Sequence, residues 1–383
     1  MAEQSPARDP PTDAASAGAA STAAASTGAW PGAAFALVSA VLFGISTPLA
    51  KRLLGSGLAP ELLAGLLYLG SGLGLGLLWL TRRLADRHHR SEAALGRADL
   101  PALAVTVFFG GALAPVLLMA GLAHTSAAAA SLLLNLEGLA TMAIAWLVFR
   151  EYVDRWLLLG AAAILVGALL LSWTGGRLQA GADPKAWLGA LLIAAACLSW
   201  GIDNNFTRKL ASADPVQIAA IKGLVAGSAN LALALRLGAT VPGLPYVILA
   251  GVVGFAGYGI SLVLFVLGLR HLGTARTAAY FSTAPFIGAL LAVSLFSEPL
   301  SARLLLAGGL MGIGLYLHLR ERHDHLHQHD LLTHEHRHTH DEHHQHAHAA
   351  SDPPGEPHSH RHQHPPLQHK HPHYPDLHHR HSH

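Results

Sequence analysis

Apolar stretches close to the ~20 residues a helix needs to cross a bilayer recur along this chain between short polar interruptions. They lie at about Ala33 to Leu53, Pro60 to Leu80, Pro101 to Leu122, Ser126 to Phe149, Arg155 to Trp173, Trp187 to Phe206, Val216 to Leu237, Tyr246 to Leu269, Thr274 to Phe296 and Arg303 to Leu319. The pattern predicts an all-α membrane protein of ten transmembrane helices, five per half. Ahead of them residues 1–29 are mostly Ala, Ser, Thr, Pro and Asp, which predicts a disordered segment. It has no basic start before a short apolar region and so does not read as a signal peptide.

The second half repeats the first. Phe149, Glu151 and Asp154 precede Leu157-Leu158-Leu159, and Phe296, Glu298 and Ser301 precede Leu304-Leu305-Leu306 at a constant offset of 147. In the same register Gly121-Leu122 and His124 fall on Gly268-Leu269 and His271, and Gly167 falls on Gly314. Asp154 and Ser301 sit where each leucine run needs an N-cap. The first helices also echo each other, Phe43-Gly44-Ile45 against Trp200-Gly201-Ile202. The repeats are expected over 30–173 and 186–319, joined by a linker over 174–185. Five spans is an odd number, so the second repeat enters the membrane from the opposite side, an inverted-topology arrangement. Basic residues concentrate in the loops between even and odd helices, at Arg82, Arg83, Arg87, Arg90, Arg97, Arg150, Arg155, Arg208, Lys209, Arg270 and Arg276. The positive-inside rule then puts both termini in the cytoplasm of a cell (inner or plasma) membrane protein.

Composition sharpens this. Of 383 residues 51% are hydrophobic, 13% are charged and 39 are Gly, an excess that suits closely packed membrane helices. The glycines cluster, with Gly70, Gly72, Gly74 and Gly76 in helix two and Gly251, Gly254, Gly257 and Gly259 in helix eight. Pro115 in helix three and Pro285 in helix nine each free a backbone carbonyl, which favours a place beside a cavity. The single Cys197 excludes an intrachain disulfide, and a net charge of +2 is too small to imply a nucleic-acid partner. The lipid bilayer and a small-molecule substrate are the expected partners, with a homodimer left open.

These features together resemble the EamA-type drug/metabolite transporters, ten-helix permeases built from two five-helix halves. The resemblance rests on Gly121-Leu122-Ala123-His124-Thr125-Ser126-Ala127-Ala128, Leu136-Glu137-Gly138, Phe149-Arg150-Glu151 and Gly160 to Gly167. In the second half it rests on Thr283-Ala284-Pro285 and Phe296-Ser297-Glu298. Gly138 stands where that family usually has proline, and Lys222 fits its usual basic position in helix seven. The resemblance implies a cavity between helices three, four, eight and nine, with Asn135, Glu137, Tyr280, Ser282 and Pro285 as candidate substrate contacts and Asp203 and Asn204 as outer ones.

A charge at mid-bilayer costs at least about 2.5 to 3.5 kcal/mol, so each needs a partner or a function. Glu137 lies mid-helix four, either as a proton or cation carrier or as a structural carboxylate. Asp203 is expected near a cytoplasmic end within reach of water, and Lys222 either snorkels or answers one of the carboxylates. Glu151 and Glu298, ahead of helices five and ten, are expected to complement those helix dipoles.

Of the 28 histidines, only His88, His89, His124, His271 and His318 precede the tail over 320–383. There they alternate with other residues, giving candidate metal ligands at His323, His325, His327, His329, His334, His336, His338 and His340. Neutral imidazole suits Ni, Zn, Co and Cu, and the prolines and polarity predict a disordered module without a packed core. Without a nucleotide-binding loop or a catalytic constellation, the chain reads as a secondary transporter of a small metabolite working by alternating access, not as an enzyme. A transition-metal permease and a membrane-anchored metal buffer are the alternatives. Deleting the residues after Arg322 is expected to leave the thermal stability of the helical part unchanged. The isolated tail should titrate with Ni and Zn at several sites, weakening between about pH 7 and about pH 5.5 as protons compete for imidazoles of pKa about 6.5.

Overall fold

The structure, a computed structural model, describes residues 14–85, 95–149, 155–172, 185–210, 213–272, 277, 280–319, 324–328, 332–338, 358–364 and 368–372. Arg87, Arg90, Arg150, Glu151, Asp154, Arg276, His323, His329 and His340 lie outside the described residues. Among the described residues 8 helices are long and apolar enough to cross a membrane. They are α1 (Ala14–Gly55, crossing over Gly32–Gly55), α2 (Pro60–Ala85), α3 (Arg97–Ala123), α4 (Ala127–Val148), α5 (Arg155–Ser172), α6 (Ala186–Leu210), α7 (Pro215–Arg236) and α8 (Leu244–Leu269). Two further apolar helices, α9 (Ala284–Phe296) and α10 (Ala302–His318), are shorter. The first helix starts at Ala14, inside the stretch the sequence suggests is unstructured; alanine is the strongest helix former, so an Ala-rich lead-in extends a helix readily.

The ends follow local chemistry. Pro60 and Pro215 open α2 and α7, and Asp214 accepts from Val216 N at 2.9 Å as the N-cap of α7. Ser126 accepts from Ala129 N at 3.2 Å at the start of α4, and Ser301 accepts from Leu304 N at 3.1 Å at the start of α10, the cap its position suggests. Glu298 acts elsewhere than expected. Its carboxylate accepts from Ala127 N at 2.8 Å and Ala128 N at 3.1 Å, so it complements the N-terminus of α4 in the other half of the chain.

Both halves are irregular at matching places. Val107–Leu113 of α3 and Phe255–Ile260 of α8 are π-helical, and the offset of 147 carries the first of these onto residues 254–260. Helix α4 is interrupted by a turn at Leu134 and Asn135, and a turn at Ser282 and Thr283 precedes α9. The contacts share this symmetry. Helices α2 and α7 pack on each other, as do α5 and α10, while α1 contacts α8 and α9 just as α6 contacts α3 and α4.

Lipid offers no hydrophobic drive for helix association, so close backbone packing has to supply it. At the α2–α7 crossing a Cβ on Gly223 would fall 2.5 Å from Gly72 N, and one on Gly227 would fall 2.5 Å from Leu69 N. At α5–α10 a Cβ on Gly160 would meet Gly314 O at 2.7 Å, and one on Gly314 would meet Gly160 O at 2.6 Å. Serines lock α1 to α8, with Ser39 Oγ donating to Ser261 O at 2.7 Å and Ser261 Oγ donating to Ser39 O at 2.9 Å.

Past the helices, β1 (Asp324–Gln328), β2 (Leu332–His338), β3 (His358–His364) and β4 (Gln368–Pro372) form two antiparallel pairs, β1 with β4 and β2 with β3. The His-x-His alternation has the period of a strand, and the register sets His334 opposite His362, His336 opposite His360 and His338 opposite His358. Gly223→Leu should lower stability by about 1 to 3 kcal/mol, because the side chain must displace the α2 backbone. Gly309→Ala, where a Cβ meets nothing within 4 Å, should change it by less than about 0.5 kcal/mol. Thermal unfolding of both variants in one detergent makes the comparison.

Candidate functional site

The site starts from a backbone defect. In the π turn of α3 the Ala114 amide donates to Phe109 O, and the next residue, Pro115, has no N–H. Gly110 O is therefore left without its usual helical donors at i+4 and i+5. An unsatisfied carbonyl at this depth would cost several kcal/mol. Two side chains from different helices answer it: Tyr68 Oη of α2 donates to Gly110 O at 2.7 Å and Trp200 Nε1 of α6 donates to it at 3.1 Å. Asn230 Nδ2 of α7 covers the next two carbonyls, Gly111 O at 3.4 Å and Ala112 O at 3.1 Å. Pro115, Gly110 and three polar residues thus tie α2, α3, α6 and α7 around one point.

Beside it lies a buried ion pair. Lys222 Nζ stands 2.5 Å from Asp203 Oδ2, with the residues 5% and 4% exposed, and Thr207 Oγ1 donates to Asp203 Oδ1 at 3.0 Å. Asp203, expected within reach of water at a helix end, is instead enclosed, and Lys222 answers it. A Cβ on Gly110 would overlap both charged groups, so glycine at this position is what lets the pair sit against α3. Glu137 is held differently. Its Oε1 accepts from Asn204 Nδ2 at 2.9 Å, and Asn204 Nδ2 also reaches Thr141 Oγ1 at 3.2 Å. Asn205 Nδ2 continues this polar seam between α4 and α6, donating to Thr141 O at 3.1 Å and Gly201 O at 2.8 Å.

These groups border a cavity of ≈ 520 Å³, including its open mouth. It is lined by Phe43 of α1, Tyr68 of α2, Glu137 of α4, Trp200, Asp203 and Asn204 of α6, Lys222 of α7, and Gly257, Tyr258, Ser261, Leu262 and Phe265 of α8, with Phe281 just before α9. Of the candidate contacts, Glu137, Asp203 and Asn204 come together here. Asn135 turns away, its Nδ2 donating to Leu132 O at 2.9 Å and lying 3.8 Å from Met311 Sδ of α10. Tyr280, Ser282 and Pro285 are not among the lining residues, whereas Phe281 between them is. Sequence reasoning missed the aromatic wall. The paired Phe43-Gly44 and Trp200-Gly201 were its visible signal, since Phe43 and Trp200 pack edge to face in the cavity wall with ring centroids 6.0 Å apart. Further rings continue the wall, Phe43 to Phe281 at 5.4 Å, Phe43 to Tyr258 at 5.8 Å and Phe265 to Phe281 at 4.9 Å.

The EamA-like transporter family matches this chain twice, over residues 30–173 and 187–320. An "uncharacterized transporter" of Methanothermobacter thermautotrophicus is 29% identical over 292 residues, covering 73% of this chain and 83% of the relative. A solved structure described only as the crystal structure of a protein aligns with a TM-score of 0.54 at 21% identity. It covers 76% of this chain and 96% of its own and thereby shows the fold.

Removing one member of a buried pair strands the other, so Lys222→Met should destabilise the protein by about 3 to 5 kcal/mol. The double variant Lys222→Met with Asp203→Leu should recover a large part of that loss. A double-mutant cycle of unfolding midpoints in nanodiscs checks the sign of the coupling.

Proposed function

The chain belongs to the EamA-like transporter family, and from that premise we propose that it is a secondary transporter moving a small organic metabolite by alternating access. The observation that carries this reading is the cavity itself, which takes Phe43, Tyr68 and Glu137 from the first half and Trp200, Asp203, Asn204, Lys222 and Tyr258 from the second. A site shared between two repeats changes shape when they move against each other. The π turns of α3 and α8 and the turns at Asn135 and Ser282 place irregular backbone at matching points of both halves, where bending needs the fewest bonds broken.

In this reading α9 and α10 cross the membrane with the other eight, giving ten spans as two inverted repeats, and the exchange symmetry of the helix contacts supports it. The distribution of basic residues supports cytoplasmic termini in a cell membrane. Glu137 is the coupling group, as the lining carboxylate that no lysine answers among the described residues. The lining is aromatic, amide and carboxylate, which suits an organic solute better than a transition-metal ion. Metal binding then belongs to the His-rich tail as a separate cytoplasmic module for Ni, Zn, Co or Cu. Proteoliposomes under an imposed proton gradient test the coupling. Wild type should accumulate substrate, Glu137→Gln should lose gradient-driven uptake while keeping exchange, and unchanged uptake would remove Glu137 from that role.

A further inference from the structure

We propose, resting on the transport reading above, that the cargo is an organic cation, an amine or quaternary ammonium. It would be held by the carboxylate of Glu137 together with the rings of Phe43, Trp200, Tyr258 and Phe281.

The argument begins with charge. Among the described residues three side chains of full charge line the cavity, Glu137, Asp203 and Lys222. Lys222 is spent, because its ammonium lies 2.5 Å from Asp203 and both are enclosed, with Gly110 packed against them. An anionic or zwitterionic solute would need a cation of the wall to be open to it, and Lys222 could serve only by abandoning a buried aspartate. What remains uncompensated is one carboxylate. It accepts a hydrogen bond from an amide, Asn204 Nδ2 at 2.9 Å, which orients Oε1 without neutralising it.

The second observation is the aromatic wall of the same cavity. Phe43, Trp200, Tyr258, Phe265 and Phe281 form a chain of rings whose neighbouring centroids are 4.9 to 6.0 Å apart. An aromatic face carries negative quadrupole, so a cation set among such rings is stabilised where an anion is repelled. Rings alone would suit any apolar solute, and a carboxylate alone would suit a proton. Both at one cavity, with Lys222 neutralised, select a cation with an apolar coat. A carboxylate that takes a proton and this cation in turn also couples the two by competition.

Equilibrium binding to the full-length protein in nanodiscs tests this, with tetramethylammonium, choline and benzyltrimethylammonium as probes. Each would be set against its uncharged analogue, in which a quaternary carbon replaces nitrogen. At least one cation should bind, with its neutral analogue weaker by on the order of tenfold or more. Phe281→Leu and Glu137→Gln should each weaken the cation by a similar factor while leaving the neutral analogue little changed. Gln can keep the hydrogen bond from Asn204, and an unchanged melting temperature would verify that both variants are folded. Equal binding of cation and analogue, no binding of any probe cation at millimolar concentration, or indifference to Glu137→Gln would overturn the proposal. Counterflow in proteoliposomes separates this failure from failure of the transport reading. Exchange of alanine, glutamate or glucose without cation exchange refutes the cationic cargo alone, whereas no exchange of any class refutes transport as well.

Discussion

One backbone carbonyl, Gly110 O, sets the layout of the centre of this protein. Within a bilayer no water is available to satisfy it, and Pro115 together with the π turn of α3 deprives it of its helical donors. The fold answers with Tyr68 and Trp200, which come from helices far apart in sequence, and with Asn230 on the neighbouring carbonyls. Those side chains are large and polar-tipped, so they fix where α2, α6 and α7 stand around α3. The same rings then become the wall of the cavity. A local defect in one helix is in this way converted into both an anchor and part of the cavity wall.

The charges follow from the same crowding. Because Gly110 has no side chain, Asp203 and Lys222 can meet against α3. Their mutual neutralisation makes a buried pair tolerable and leaves the cavity with the single carboxylate of Glu137, oriented by Asn204.

Glycine governs the remaining contacts. Gly72 with Gly223 and Gly160 with Gly314 bring α2 to α7 and α5 to α10 at backbone distance, each pair joining matching helices of the two halves. The irregular segments fall instead on α3, α4, α8 and the approach to α9. Of the interrupted helices α4 and α8 line the cavity, and the closely packed α2 and α7 line it with them through Tyr68 and Lys222. Glu298 links the halves once more by holding the first amides of α4.

The hydrophobic pattern alone determined the membrane class, the placing of the helices and the duplication. Helix length in lipid is set by bilayer thickness, and an offset of 147 needs no coordinates to be seen. Glu137, Asp203 and Asn204 were legible for a related reason, since any polar residue in a long apolar run must be answered or used. Pro115 announced a freed carbonyl but not which side chains would meet it. Those partners, Tyr68, Trp200 and Asn230, lie in other helices, and apolar or amphipathic residues look alike in a sequence whether they face lipid or a cavity. The same blindness placed Asp203 in water, named Tyr280 and Ser282 where Phe281 lines the wall, and assigned Glu298 to the helix that follows it and not to α4. Helix rotation and crossing decide which face of a helix turns inward, and these are set by glycine contacts between segments more than a hundred residues apart.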